Sequence, residues 1–226
     1  MSNYSRLEVL SEVISVGLVP LFYHEDFTIS SMVIDACGKG GARLVEYTNR
    51  GENALENFRQ LIRHIEKVES HVILGAGSID DPFMAASFIQ AGANFIVSPS
   101  LNIETARLCN RYKIAYFPGC TTPTEIALAE EYGVEICKLF PADQISGQNF
   151  IKAVLGPRPW TRLMPTGGIQ LDRNSISNWI KAGAAALGIG SSLISKNILH
   201  SQQFDELTDR VSQLIGWIME ARQQES

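Results

Sequence analysis

The chain has 226 residues and a mass of 24.9 kDa, within the ~200–250 residues that α/β barrels use as one domain. Hydrophobic residues make up 45% and charged residues 19%, which excludes an intrinsically disordered chain. The formal net charge of -5 excludes a general attraction for nucleic acid or anionic lipid, so any hold on a phosphate must be local.

The N-terminus, MSNYSRLEVLSEVISVG, mixes Arg6, Glu8 and Glu12 among apolar residues. It lacks the unbroken apolar centre of a signal peptide, and residues 5–16 read as a helix ahead of the first strand. Short apolar runs follow at 18–23, 42–47, 72–74, 95–97, 114–117, 135–140, 163–166 and 186–189. Each is rich in Val, Ile, Leu or aromatic residues and tends to end in Gly, Pro, Ser or Thr, as strands buried on both faces of a parallel sheet do. No run reaches the ~18–20 apolar residues needed to cross a membrane.

Helical periodicity lies between the runs. Leu55, Phe58, Leu61, Ile62 and Ile65 share a face, and 80–90, 103–110 and 176–181 read the same way. Asp172 or Asn174 is placed to cap the last of these. Gly41, Gly92, Gly133 and Gly183 fall just past a helix, where a left-handed residue belongs. Residues 202–222 read as a final helix, with Phe204, Leu207, Val211 and Leu214 on one face. Eight strand–helix units without a linker predict an α/β fold, a single-domain (β/α)8 barrel over 1–226 with an extra N-terminal helix. A doubly wound open sheet is the alternative, but no GxGxxG follows the first strand.

In such a barrel the reactive groups lie at the C-terminal ends of the strands, so a charge inside a strand-like run marks the site. Burying a lone charge is costly. Lys138 interrupts Ile136-Cys137-Lys138-Leu139-Phe140, and Glu46 interrupts Leu44-Val45-Glu46-Tyr47-Thr48. The structural alternatives are an edge lysine that snorkels to solvent and a buried ion pair of Glu46 with Arg50 or Lys138. A buried lysine invites imine chemistry. A lysine titrating near ~10.4 is uncharged in only about one molecule in 2,500 at neutral pH. Dehydration and a nearby cation both favour the neutral amine. Arg50 is placed to supply that cation, while an ionised Glu46 pushes the other way.

Pro165-Thr166-Gly167-Gly168-Ile169 follows the seventh run and Gly188-Ile189-Gly190-Ser191-Ser192 the eighth. These two loops commonly cradle a phosphate in barrels of this kind, through backbone N–H groups. The alternative is two tight turns that need glycine for backbone reasons alone. Cys37, Cys109, Cys120 and Cys137 form no CxxC pair and read as reduced, packed thiols. His24, His64, His71 and His200 are scattered singly and read as surface or packing residues.

The ordered series EYTNR, GAGS, SPS, PGCTTPTE, CKLFPAD, PTGGI and GIGSSL resembles the class I aldolases for 2-keto-3-deoxy-6-phosphogluconate (KDPG) and 4-hydroxy-2-oxoglutarate (KHG), from about residue 8 to 220. The resemblance implies Lys138 as the Schiff-base lysine and Glu46 as the proton shuttle. It implies Arg50 and Ser78 on the substrate carboxylate, with Pro99, Phe140 and Thr166 lining the pocket. It implies Gly167, Gly168, Gly190 and Ser191 on a phosphate. It also implies a cytoplasmic homotrimer that acts on a phosphorylated keto acid and pyruvate, without metal or cofactor. Ser78 stands where the family usually has threonine, Ser100 where many members have glycine, and Asn49 and Ser192 replace bulkier residues. The other readings are a KHG or phosphogalactonate-type aldolase, a phosphosugar epimerase or isomerase on the same barrel, and a barrel retained as a binding module.

Overall fold

The apolar runs fold as parallel strands, and the computed structural model describes residues 3–224. The strands are β1 (Leu18–Phe22), β2 (Leu44–Thr48), β3 (Ile73–Gly77), β4 (Phe95–Val97), β5 (Ala115–Phe117), β6 (Gly119–Cys120), β7 (Cys137–Leu139), β8 (Leu163–Pro165) and β9 (Leu187–Ile189). Eight predicted runs become nine strands because Pro118, which has no N–H to give to a ladder, falls between β5 and β6. β5 stays beside β4, while β6 pairs with β7. The result is a six-stranded sheet, β5-β4-β3-β2-β1-β9, and a three-stranded sheet, β6-β7-β8. β3 runs further than predicted, because Gly75 and Gly77 stay in register with β2.

Between the strands run α2 (Phe27–Lys39), α3 (Ala54–Lys67), α4 (Pro82–Gln90), α5 (Ile103–Tyr112), α6 (Pro123–Glu131), α7 (Gly147–Leu155) and α8 (Arg173–Lys181). The predicted N-terminal helix is α1 (Arg6–Val16), capped by Ser5. The predicted C-terminal helix is α10 (Phe204–Gln223), and a short helix that was not predicted, α9 (Lys196–Ser201), precedes it, with Gln202 left-handed between them at φ 53°. Asp172, not Asn174, caps α8 by accepting from the Ser175 N–H. Gly41, Gly92, Gly133 and Gly183 have φ of 98°, 104°, 79° and 99°, the left-handed geometry that releases the chain from a helix into the next strand.

Alternation along each strand builds two cores around the sheets. Val45, Tyr47, Leu74 and Ala76 face the helices, where Phe58 and Phe88 meet edge to face at 5.2 Å. Leu44, Ile73, Phe95, Ile136 and Met164 belong to a separate inner cluster that Val9, Leu10 and Val13 of α1 cover. Along β2, β7 and β8 this inner face turns from apolar to polar toward the C-terminal end, from Leu44 to Glu46, Ile136 to Lys138 and Met164 to Thr166, whereas Val97 and Phe117 keep it apolar at the ends of β4 and β5. The four cysteines are free and buried, as their spacing predicts. The strands curl within one α/β domain. No helix among the described residues is long and apolar enough to cross a membrane.

Candidate active site

Period-two alternation places Glu46 two residues after inner-core Leu44, and Lys138 two residues after inner-core Ile136. Both side chains are nearly enclosed, at 2% and 6% exposure, so Lys138 does not snorkel to solvent. Glu46 lies in register with Leu21 and Gly75, and Lys138 with Gly119 and Met164. The space beside the lateral neighbours Gly75 and Gly119 is taken by the Phe95 ring and the Pro99 carbonyl oxygen. Glu46 itself uses the space at Gly77, where an added Cβ would lie 1.7 Å from Oε1. Gly77→Ala must displace the carboxyl group. It is expected to lower kcat about 10²-fold, the scale of an ångström's misplacement of a catalytic group, with an unchanged circular dichroism spectrum.

Neither charge has a salt-bridge partner. No N–O separation within 4.0 Å joins Glu46 to Lys138 or to Arg50 among the described residues, so neither cation makes a direct ion pair with it, although the charges of both act on its carboxyl group. Burial pushes the Glu46 carboxyl above the ordinary carboxylate range, and the Lys138 and Arg50 charges pull it back in part. The Lys138 amine lies 4.9 Å from the centre of the Phe140 ring. That contact needs no anionic partner.

A cleft of about 350 Å³ opens at this end of the strands, and Arg50, Phe140 and Thr166 line it. So do Gly167, Gly168, Gly190 and Ser191. Seven sequence-predicted residues thus share one wall. Glu46, Lys138, Ser78 and Pro99 are not on that wall. The first two sit behind it, linked to it by Phe140 and by the field of Arg50. Ser78 and Pro99 are half-buried just beyond β3 and β4. Gly167 and Gly168 have φ of 96° and 72°, so the turn itself demands glycine there. An added Cβ on Gly168 would also strike Asp143 at 2.2 Å.

Tyr23 and Lys196 also line the cleft, and sequence reasoning did not find them. Tyr23 ends an apolar run and looks like one more strand residue. Lys196 looks like a surface lysine in a polar stretch. A larger hollow, about 500 Å³, includes Asp35, Lys39, Arg43 and His71. It lies at the N-terminal ends of β2 and β3, away from the end where such folds place their chemistry.

The sequence profile described as "Aldolase: KDPG and KHG aldolase" matches residues 10–210. The chain belongs to the KDPG and KHG aldolase family. Enzymes of this family are aldehyde-lyases of the Schiff-base class. The KHG/KDPG aldolase of Escherichia coli K12 is 34% identical over 172 residues, covering 75% of this chain and 76% of the relative. The 2-dehydro-3-deoxy-phosphogluconate aldolase of Haemophilus influenzae is 28% identical over 220 residues, covering 96% and 99%. The crystal structure of the KDPG aldolase of Legionella pneumophila, with pyruvate captured as a covalent carbinolamine, superposes with a TM-score of 0.82 at 22% identity. It covers 91% of this chain and 97% of its own, a likeness of fold.

Proposed function

We propose that this family member cleaves 2-dehydro-3-deoxy-6-phosphogluconate reversibly to pyruvate and D-glyceraldehyde 3-phosphate through a Schiff base on Lys138. One observation carries the reading: an enclosed lysine and an enclosed glutamate, unpaired with each other, lie behind a cleft whose wall holds Arg50. A structural pair would close its ion contact. A catalytic pair needs the substrate, or a water, between them.

The neutral Lys138 amine attacks the C2 ketone to form a carbinolamine. Glu46 moves the protons as hydroxide leaves as water and the iminium forms. Glu46 then accepts the C4 hydroxyl proton while the C3–C4 bond breaks, and its electron pair passes into the iminium to give an enamine. The aldehyde departs and Glu46 returns its proton to C3. Hydrolysis of the new iminium releases pyruvate and regenerates the amine. A carboxyl group pushed above its ordinary range by burial is a stronger base than a solvated carboxylate, which suits the proton transfers asked of it. Arg50 and Ser78 orient the carboxylate. Pro99, Phe140 and Thr166 bound the reacting carbons, and Gly167, Gly168, Gly190 and Ser191 receive the phosphate. This remote contact helps align the reacting bond.

The proposal includes closure of the two sheets into one (β/α)8 barrel spanning 1–226. Three contacts support closure. Thr166 bridges Gly188 in parallel between β8 and β9, the Ala185 N–H donates to Leu163 O at 2.9 Å, and at the other seam the Gly119 N–H of β6 donates to Ser98 O, just past β4, at 3.0 Å. The family resemblance further supports a cytoplasmic homotrimer.

The test is borohydride reduction in the presence of pyruvate. We expect a stable adduct whose peptide mass maps to Lys138. A reduced sample with no adduct overturns the imine mechanism and favours epimerase or isomerase chemistry.

A further inference from the structure

We propose that Lys196 supplies the positive charge that selects a phosphate monoester at the far end of the substrate. The cleft is cationic in an acidic protein. Of the residues that line it, the charged ones are Arg50 and Lys196, and no carboxylate is among them. The two cations serve different ends. Arg50 stands just past the end of β2, the strand that carries Glu46, whereas Lys196 stands beyond β9 at the start of α9. One cation therefore belongs to the reacting end, and the other lies away from it.

The local chain explains where Lys196 stands. It follows the Gly190-Ser191-Ser192 loop by a few residues and opens the short helix α9, after Ser195. Leu193, Ile194 and Ile198 are buried around it and hold this segment against the body of the domain. The Lys196 side chain has no ion pair or hydrogen bond among the described residues, so no carboxylate neutralises it. Gly167 and Gly190 offer backbone donors but no net charge. A phosphate monoester carries up to two negative charges, and a lysine ammonium meets it as a mobile point charge. Lys196 is itself exposed, so solvent screens the attraction, and its effect is moderate and sensitive to salt.

This inference rests on the aldolase reading only for the identity of the substrate. The decisive comparison is Lys196→Met and Lys196→Arg against the unaltered enzyme, with three probes. The first is the phosphorylated substrate. The KM of Lys196→Met is expected to rise about three- to tenfold, its dependence on added salt is expected to flatten, and Lys196→Arg is expected to stay near the parent. The second is inorganic phosphate, followed by phosphorus NMR, with affinity lost in Lys196→Met by a similar factor. The third is pyruvate, which has no distal anion. Its half-saturating concentration for borohydride trapping is expected to be the same in all three proteins.

Unchanged KM, salt dependence and phosphate affinity in Lys196→Met overturn the proposal. An equal rise for pyruvate overturns it as well, because Lys196 would then be shaping the cleft generally. If the parent enzyme traps no pyruvate, the aldolase reading fails, and the phosphate titration still decides the role of Lys196.

Discussion

Lys138→Met is expected to abolish pyruvate trapping and to lower kcat on the order of 10⁴-fold or more, because what remains is substrate positioning without a nucleophile. The protein should still fold. Lys138 is 6% exposed and has no ion pair, so methionine removes a poorly solvated charge and keeps a side chain of similar length. We expect a melting temperature equal to or above that of the parent. A drop in stability as large as the drop in activity would mean that the lysine holds the fold, contrary to our reading. The change should also reach Glu46. The Lys138 charge is one of the two that pull its carboxyl down against burial. Without it the carboxyl should titrate still higher, which carbon NMR of labelled glutamate would detect.

Glu46→Gln is expected to slow turnover by about 10²–10⁴-fold, the range ascribed to a positioned acid–base group. Its effect on the half-saturating pyruvate concentration should be far smaller. Glutamine preserves the shape against Gly77 and removes proton transfer. Stability gives a second readout. Burial raises the folded-state pKa of Glu46 above the unfolded value, near ~4.3. The unfolded chain thus releases this proton first as pH rises. The stabilisation from a protonated Glu46 is full below the unfolded value and is lost as pH climbs through the folded one. Glu46→Gln has no such loss. Its stability should vary less with pH over that window and should equal or exceed the parent at neutral pH, a common pattern where a catalytic site holds an unfavourable charge. A parent enzyme that gains stability as pH rises through the window, relative to Glu46→Gln, would contradict the raised value.

The two charges were legible because each breaks a local pattern. A strand buried on both faces reads as a continuous apolar run, and Glu46 and Lys138 are the ionisable interruptions of β2 and β7. The glycine loops were legible because positive φ is a local demand that glycine meets without a steric cost, as Gly167 and Gly168 do. One helix end was legible for a similar reason at Asp172, one of two capping candidates there, whose side chain accepts the Ser175 N–H, whereas Ser5, read as part of the first helix, proves to be its cap. The helices α2, α6 and α7 were harder to single out from periodicity. In α6 the start is marked by Thr122, Pro123 and Glu125, a capping signal rather than an apolar stripe.

By itself, then, the sequence determined the strand and helix alternation, the charges on the inner strand face, the glycine turns and the family. Those properties depend on side-chain period and on backbone preferences over a few residues. The tertiary structure alone decided that Glu46 and Lys138 stay apart, that Glu46 lies against Gly77, and that Pro118 passes the chain from one sheet to the other. It also decided that Lys196 joins the cleft wall while Ser78 and Pro99 do not. Each of these is a distance or a direction between residues of different strands or loops. It is set by sheet register, curl and the packing of the intervening helices, which no short stretch of chain encodes.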